Sequence, residues 1–117
     1  MPSADHIGKG TLLNVTGVTL AQTSETFMDA PRTSDTVICV YSSAASGPGS
    51  GTGAIFEVAA PTKSEDDTPV YLEFTTEDVA AGQIVRYVFP GGLGSNARVR
   101  ITPDGSSDIK VWAWSSY

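Results

Sequence analysis

The chain has 117 residues, 40% hydrophobic and 17% charged, with 12 Gly, 7 Pro, one Cys and a formal net charge of −6. These values describe one folded domain rich in turns. They exclude a disordered chain, a disulfide scaffold and a protein that coats nucleic-acid phosphates with Lys and Arg.

Residues 1–10 have no hydrophobic period and contain two glycines, so they are predicted to be a flexible N-terminal arm, with residues 11–117 forming a single β-sandwich domain. Met1 is followed by Pro2, Ser3, Asp5 and His6, not by the basic segment and about 7–15 apolar residues of a secretory signal. No run approaches the ~20 residues of a membrane span. The chain is therefore expected to be made in the cytoplasm, where Asn14-Val15-Thr16 is a glycosylation pattern without consequence.

The first strand is predicted over Thr11 to Leu20. Leu13 and Val15 share one face, Val18 and Leu20 have the opposite parity, and a β-bulge at Gly17 reconciles them. A short run, Glu25 to Met28, stops at Asp29-Ala30-Pro31. Thr36 to Ser43 is β-branched and aromatic on both faces, the pattern of a central or doubly covered strand, and Cys39 within it reads as a small buried apolar residue. Ala44 to Gly53, rich in Gly and Ser, is predicted to be a mobile exposed loop. Its Gly49-Ser50-Gly51-Thr52-Gly53-Ala54 fits a loose dinucleotide pattern, but Ile55 to Val58 reads as strand, without the helix N-terminus that would hold a pyrophosphate.

Ala54 to Ala60 is the next predicted strand, followed by an acidic loop, Pro61 to Pro69, with Glu65-Asp66-Asp67. Val70 to Thr75 alternates, which places Val70, Leu72 and Phe74 inward and Tyr71, Glu73 and Thr75 outward. Thr76-Glu77-Asp78 resembles a helix start that Gly82 stops, so a short helical connector is expected. Ile84 to Phe89 ends at Pro90-Gly91-Gly92. Ala97 to Thr102 sets Val99 and Ile101 against Arg98 and Arg100, and the turn Pro103 to Asp108 leads into Ile109 to Ser115, so the last two strands are expected to form an antiparallel hairpin. Eight strands make an all-β, antiparallel two-sheet β-sandwich, first a jelly roll and second an immunoglobulin-like sandwich.

Chemistry is sparse along this frame. The only histidine, His6, lies in the arm, so no serine or cysteine has a base beside it. One Cys and one His do not make a zinc site. Asp104, Ser106 and Asp108 alternate as in calcium loops, yet Gly105 is out of place, no bidentate glutamate follows, and a turn explains the same letters. Glu57, Glu73 and Asp78 offer carboxylate pairs for glycoside hydrolysis, with nothing selecting two of them. The expectation is a non-enzymatic protein without catalytic residues, cofactor or metal.

The last strand is more informative. Ile109, Val111 and Ala113 share one face, and Lys110, Trp112 and Trp114 the other. With the aliphatic set inside, the tryptophans form an outward platform for a protein interface or a sugar ring; with the tryptophans inside, they are large core residues. Arg86, Arg98 and Arg100 are expected on outward faces, where a row of arginines binds an acidic partner or pairs with Glu73 and its neighbours. The candidate interface is Trp112, Trp114, Lys110, Arg86, Arg98 and Arg100. Residues 1–83 carry 3 basic and 11 acidic groups and residues 84–117 carry 4 and 2, an asymmetry that describes either steered association or scattered solvated charge.

The order Ala80-Ala81-Gly82-Gln83-Ile84-Val85-Arg86-Tyr87-Val88-Phe89-Pro90, a Gly-rich turn, Ala97-Arg98-Val99-Arg100-Ile101-Thr102, an Asp-Gly-Ser turn and a final apolar strand resembles the jelly-roll cement or decoration proteins of tailed bacteriophage heads. The Gly-Ser loop Ser46 to Gly53 also suits them, and the likeness of layout spans residues 36–117, departing at Trp112-Ala113-Trp114. The resemblance implies a viral structural protein on the capsid exterior, made in the host cytoplasm, that binds the major capsid protein and copies of itself as a dimer or trimer. The net charge and the lack of a long apolar run give the expectation of no nucleic-acid and no membrane partner, and avidity across a lattice would offset weak single contacts. The residues alone also support a carbohydrate-binding β-sandwich module that stacks sugars on Trp112 and Trp114.

Overall fold

The computed structural model describes residues 5–44, 54–59, 71–93, 96–103 and 105–116. These contain the strands β1 (Asp5–Ile7), β2 (Lys9–Val18), β3 (Gln22–Thr23), β4 (Thr26–Met28), β5 (Asp35–Ser42), β6 (Ala54–Ala59), β7 (Tyr71–Glu77), β8 (Ile84–Pro90), β9 (Ala97–Ile101) and β10 (Ser107–Ser116). One sheet runs β2-β10-β5-β8. The other runs β1-β4-β9-β6-β7, with β3 also on β9. Between them lie Leu12, Phe27, Ile38, Val40, Phe56, Val79, Phe89, Val99, Ile101, Ile109 and Val111, all buried.

With β3 and β4 taken as one interrupted strand, the pairing nests: β2 with β10, β3/β4 with β9, β5 with β8, and β6 with β7. First with last and second with penultimate is the winding of a jelly roll, and it rules out the immunoglobulin-like alternative. The same winding corrects the expected C-terminal hairpin. β9 pairs with β6 in one sheet while β10 pairs with β2 and β5 in the other, so the segment between them crosses the sandwich, and Pro103 is buried along the way.

Several elements follow directly from local sequence. β10 alternates buried Ile109, Val111 and Ala113 with more open Lys110, Trp112 and Trp114, as a strand covered on one face must. β5 is buried on both faces: Ile38 and Val40 enter the core, and on the other face Val37 and Cys39 lie among the larger side chains of Trp112, Trp114 and Arg86 on the flanking strands. In β2, Gly17 adopts φ +63°, and the register slips between Val15↔Ile109 and Val18↔Ser107. That is the bulge needed to keep Val15 and Val18 against one core; the freed Gly17 N–H donates to Asp108 Oδ1 at 3.0 Å.

Other local readings fail. Part of the predicted arm belongs to the sandwich: β1 runs parallel to β4, and His6 approaches Glu25, Nε2 to Oε1, at 2.9 Å. A Cβ on Gly10 would lie 2.5 Å from His6 Nδ1, so the glycine lets β1 pack against β2. This three-residue pairing makes the second sheet mixed, not purely antiparallel. The expected helical connector is absent, because β7 extends to Glu77, Val79 is buried, and Gly82, with φ +72°, turns the chain.

β7 itself departs from its alternation. A register shift between Phe56↔Thr75 and Glu57↔Glu73 leaves Phe74 as the extra residue of a bulge. Leu72 and Phe74 are 57% and 54% exposed, because among the described residues β7 ends its sheet and no further strand covers it. The predicted loops Ala44 to Gly53 and Pro61 to Pro69 lie almost wholly outside the described residues, as do Val70 and Asp104.

One carboxylate ties two loops together. Asp29 Oδ1 accepts a hydrogen bond from the buried Thr36 hydroxyl, and Oδ2 accepts one from the Leu93 backbone N–H. Asp29→Ala leaves the Thr36 hydroxyl unpaired inside the protein, which costs about 1–3 kcal/mol. Urea denaturation is expected to show that loss, with Asp29→Asn retaining part of the stability.

Candidate functional site

The register of the four-stranded sheet assigns its outer face. Three rows cross it: Lys9, Trp114, Val37 and Val88; Thr11, Trp112, Cys39 and Arg86; and Asn14, Lys110, Tyr41 and Ile84. The two tryptophans are thus outward and half-buried, while Ile109, Val111 and Ala113 enter the core. Of the two arrangements open to the last strand, the sandwich adopts the outward platform. The inner row of β10 stands in register with Leu13 and Val15 of β2 and with Ile38 and Val40 of β5, and packs with them into the core between the sheets.

Trp112 is flanked by Lys110, whose Nζ lies 5.7 Å from the indole centroid, within cation–π range. Lys9, Gly10, Thr11, Lys110, Trp112, Ala113 and Trp114 line an open groove of about 510 Å³. A second hollow, of about 390 Å³ and lined by Ile7, Gly8, Lys9, Ala30 and Ser115, adjoins it through Lys9. The groove's charged groups are cations. On this face Asp35 and Asp108 stand at opposite ends, each accepting a backbone N–H, from Gly91 and Gly17 respectively.

Cys39 sits under this surface, 3% exposed, between Trp112 and Arg86 in register. Burial pushes its thiol above the ordinary value of 9.0, and the Arg86 guanidinium opposes that shift. A thiol harder to ionise when folded holds its stabilising contribution below the unfolded value and loses it as pH rises beyond 9.0. The wild type is therefore expected to lose more stability than Cys39→Ala between pH 8 and pH 10, measured as the shift in urea midpoint.

The predicted arginine row is divided. Arg86 lies on the tryptophan face, whereas Arg98 and Arg100 project from β9 on the outside of the other sheet. Arg98 stacks over the Tyr71 ring at 4.0 Å. Four of the six predicted interface residues, Trp112, Trp114, Lys110 and Arg86, therefore share one surface. Lys9, Thr11, Val37, Tyr41, Ile84 and Val88 complete it and were not singled out from sequence, because which strands flank β10 is a matter of winding.

The other candidate chemistries stay dispersed. Among the described residues no three of His, Cys, Asp or Glu gather as a metal site. The segment after the Gly-Ser pattern is strand β6, so no helix begins there.

No family model matches this chain, and no curated protein matches it in sequence. Among solved structures it is similar to the crystal structure of tripeptidyl peptidase 2 (TPP II), at 12% identity and a TM-score of 0.47, covering 95% of this chain and 10% of that one. It is also similar to a family 16 carbohydrate-binding module-2, at 14% identity and a TM-score of 0.37, covering 88% of this chain and 72% of that one. The chain spans about a tenth of the peptidase chain, and neither likeness carries a functional residue over to this β-sandwich.

Proposed function

We propose that this protein is a non-enzymatic structural module that coats a larger protein assembly through the outer face of its four-stranded sheet. In its specific form the assembly is the head of a tailed bacteriophage, the partner is the major capsid protein, and the module works as a cement or decoration protein on the virion exterior. The observation that carries this reading is the surface formed by Trp112, Trp114, Tyr41, Ile84 and Val88 over the buried Val37 and Cys39, aromatic and aliphatic across the sheet and edged by Lys9, Lys110 and Arg86. A face of that kind, with large aromatic anchors and a polar rim, has the composition of an interface core. Its cations suit an acidic partner surface.

The test is co-sedimentation of the purified protein with purified undecorated heads. Saturable binding that raises the temperature at which heads rupture supports the reading. A protein that ignores heads across the whole range of salt concentration ends it.

A second reading, a carbohydrate-binding module, is favoured by the open groove over the two tryptophans. Indole faces stack on sugar rings, and Lys9, Thr11 and Lys110 offer donors to hydroxyl or carboxylate oxygens. Binding on a glycan array that Trp114→Ala removes would favour this reading over the first, and silence across a broad array would remove it.

A further inference from the structure

We infer that the protein forms a two-fold symmetric dimer by pairing strand β8 with β8 of a second copy, which joins two four-stranded sheets into one of eight strands. Ile84 and Val88, which border this edge, also belong to the outer face described above, but the pairing does not depend on what the tryptophans bind.

Among the described residues β8 ends its sheet, paired with β5 on one side only. Its other edge presents backbone donors and acceptors from Ile84 to Val88 and, at Pro90, a carbonyl without an N–H. Proteins blunt such edges with lysines, bulges, inward charges or prolines. β7, which ends the opposite sheet, carries a bulge at Phe74 together with Glu73 and Glu77. β8 has no lysine and no bulge, its one charge, Arg86, points outward, and Pro90 stands only at its end.

The apolar surface points to the same side of the molecule. Phe74 contacts Tyr87 and Phe89 at centroid distances of 5.8 and 5.0 Å, so β7 and β8 border one open flank of the sandwich. Leu72 and Phe74 are 57% and 54% exposed on that flank, and Ile84 and Val88, 58% and 41% exposed, stand beside the same edge on the outer face of the four-stranded sheet. A second copy paired along β8 covers part of both apolar surfaces.

The occupant is a second copy because the strand is self-complementary. In an antiparallel pairing centred on Tyr87, Ile84 faces Pro90 of the second copy, Arg86 faces Val88, and Val85 faces Phe89. No charge stands directly opposite its like, and the inner row places aromatic against β-branched side chains, the favoured cross-strand pairs. A two-fold axis there also brings the two β7 flanks together, covering Leu72 and Phe74.

Sedimentation equilibrium at micromolar concentration is expected to give twice the chain mass. Val88→Lys and, independently, Ile84→Lys should raise the dimer dissociation constant about 100-fold, since each change acts at two symmetry-related sites. Both should keep the wild-type circular dichroism spectrum and melting temperature of the dissociated chain, because both side chains face water in the single copy. Trp114→Ala should remain dimeric. A wild type that stays monomeric to high micromolar concentration, a trimer or open-ended polymer, or a dimer that survives both lysine substitutions would overturn the inference, as would a dimer lost only on Trp114→Ala.

Discussion

Replacing Trp112 and Trp114 together by Ser is expected to weaken partner binding by about 1,000-fold or more while leaving the fold intact. Central tryptophans of an interface are worth about 2 kcal/mol or more each, and each such loss is roughly a 30-fold change in affinity. The two residues stand side by side on the outer face of β10, in register with Cys39 and Val37, so they act on one patch. Their inner neighbours Ile109, Val111 and Ala113 carry the core and are untouched. Stability is expected to fall by about 1 kcal/mol, from uncovering Val37 and Cys39. Titration against undecorated heads and against a glycan panel, beside a thermal melt, separates binding from folding. Retained affinity for both ligand classes in the double variant would remove this face from the protein's function.

Phe56→Ala is expected to cost about 3–5 kcal/mol, a large share of the roughly 5–15 kcal/mol that holds an ordinary domain together. Phe56 is 1% exposed on central strand β6, beside Val99 and Thr75 in register, and its ring lies 5.5 Å from that of Tyr87 in the other sheet. Truncation opens a cavity between two sheets that cannot close independently. Phe74→Ala provides the contrast: that ring sits at the rim, 54% exposed, and its loss should cost no more than about 1 kcal/mol in the dissociated chain. Guanidinium denaturation of the two variants checks the pair. Equal losses would mean that Phe74 is a core residue, as simple alternation along β7 implies.

That contrast shows where local pattern reaches its limit. Alternation over Val70 to Thr75 places Leu72 and Phe74 inward, yet one bulge and a place at the sheet edge leave both of them exposed. At Gly17 the reverse held, because the parity change between Val15 and Val18 was itself visible and required a bulge. Of the candidate interface, Trp112, Trp114 and Lys110 share a face by strand periodicity alone. Arg86 joins them, and Arg98 and Arg100 leave, only because β8 and β9 belong to different sheets.

The amino-acid order by itself determined the all-β class, the positions of eight strands to within a few residues and the covered central strand, since all of these follow from side-chain periodicity and composition, while β1 and β3 were not legible in it. Tertiary structure alone decided that the tryptophans face outward, that β10 lies between β2 and β5, and that β8 is left as an open edge. A strand's two faces are equivalent until its neighbours are known, and in a jelly roll those neighbours come from the far end of the chain.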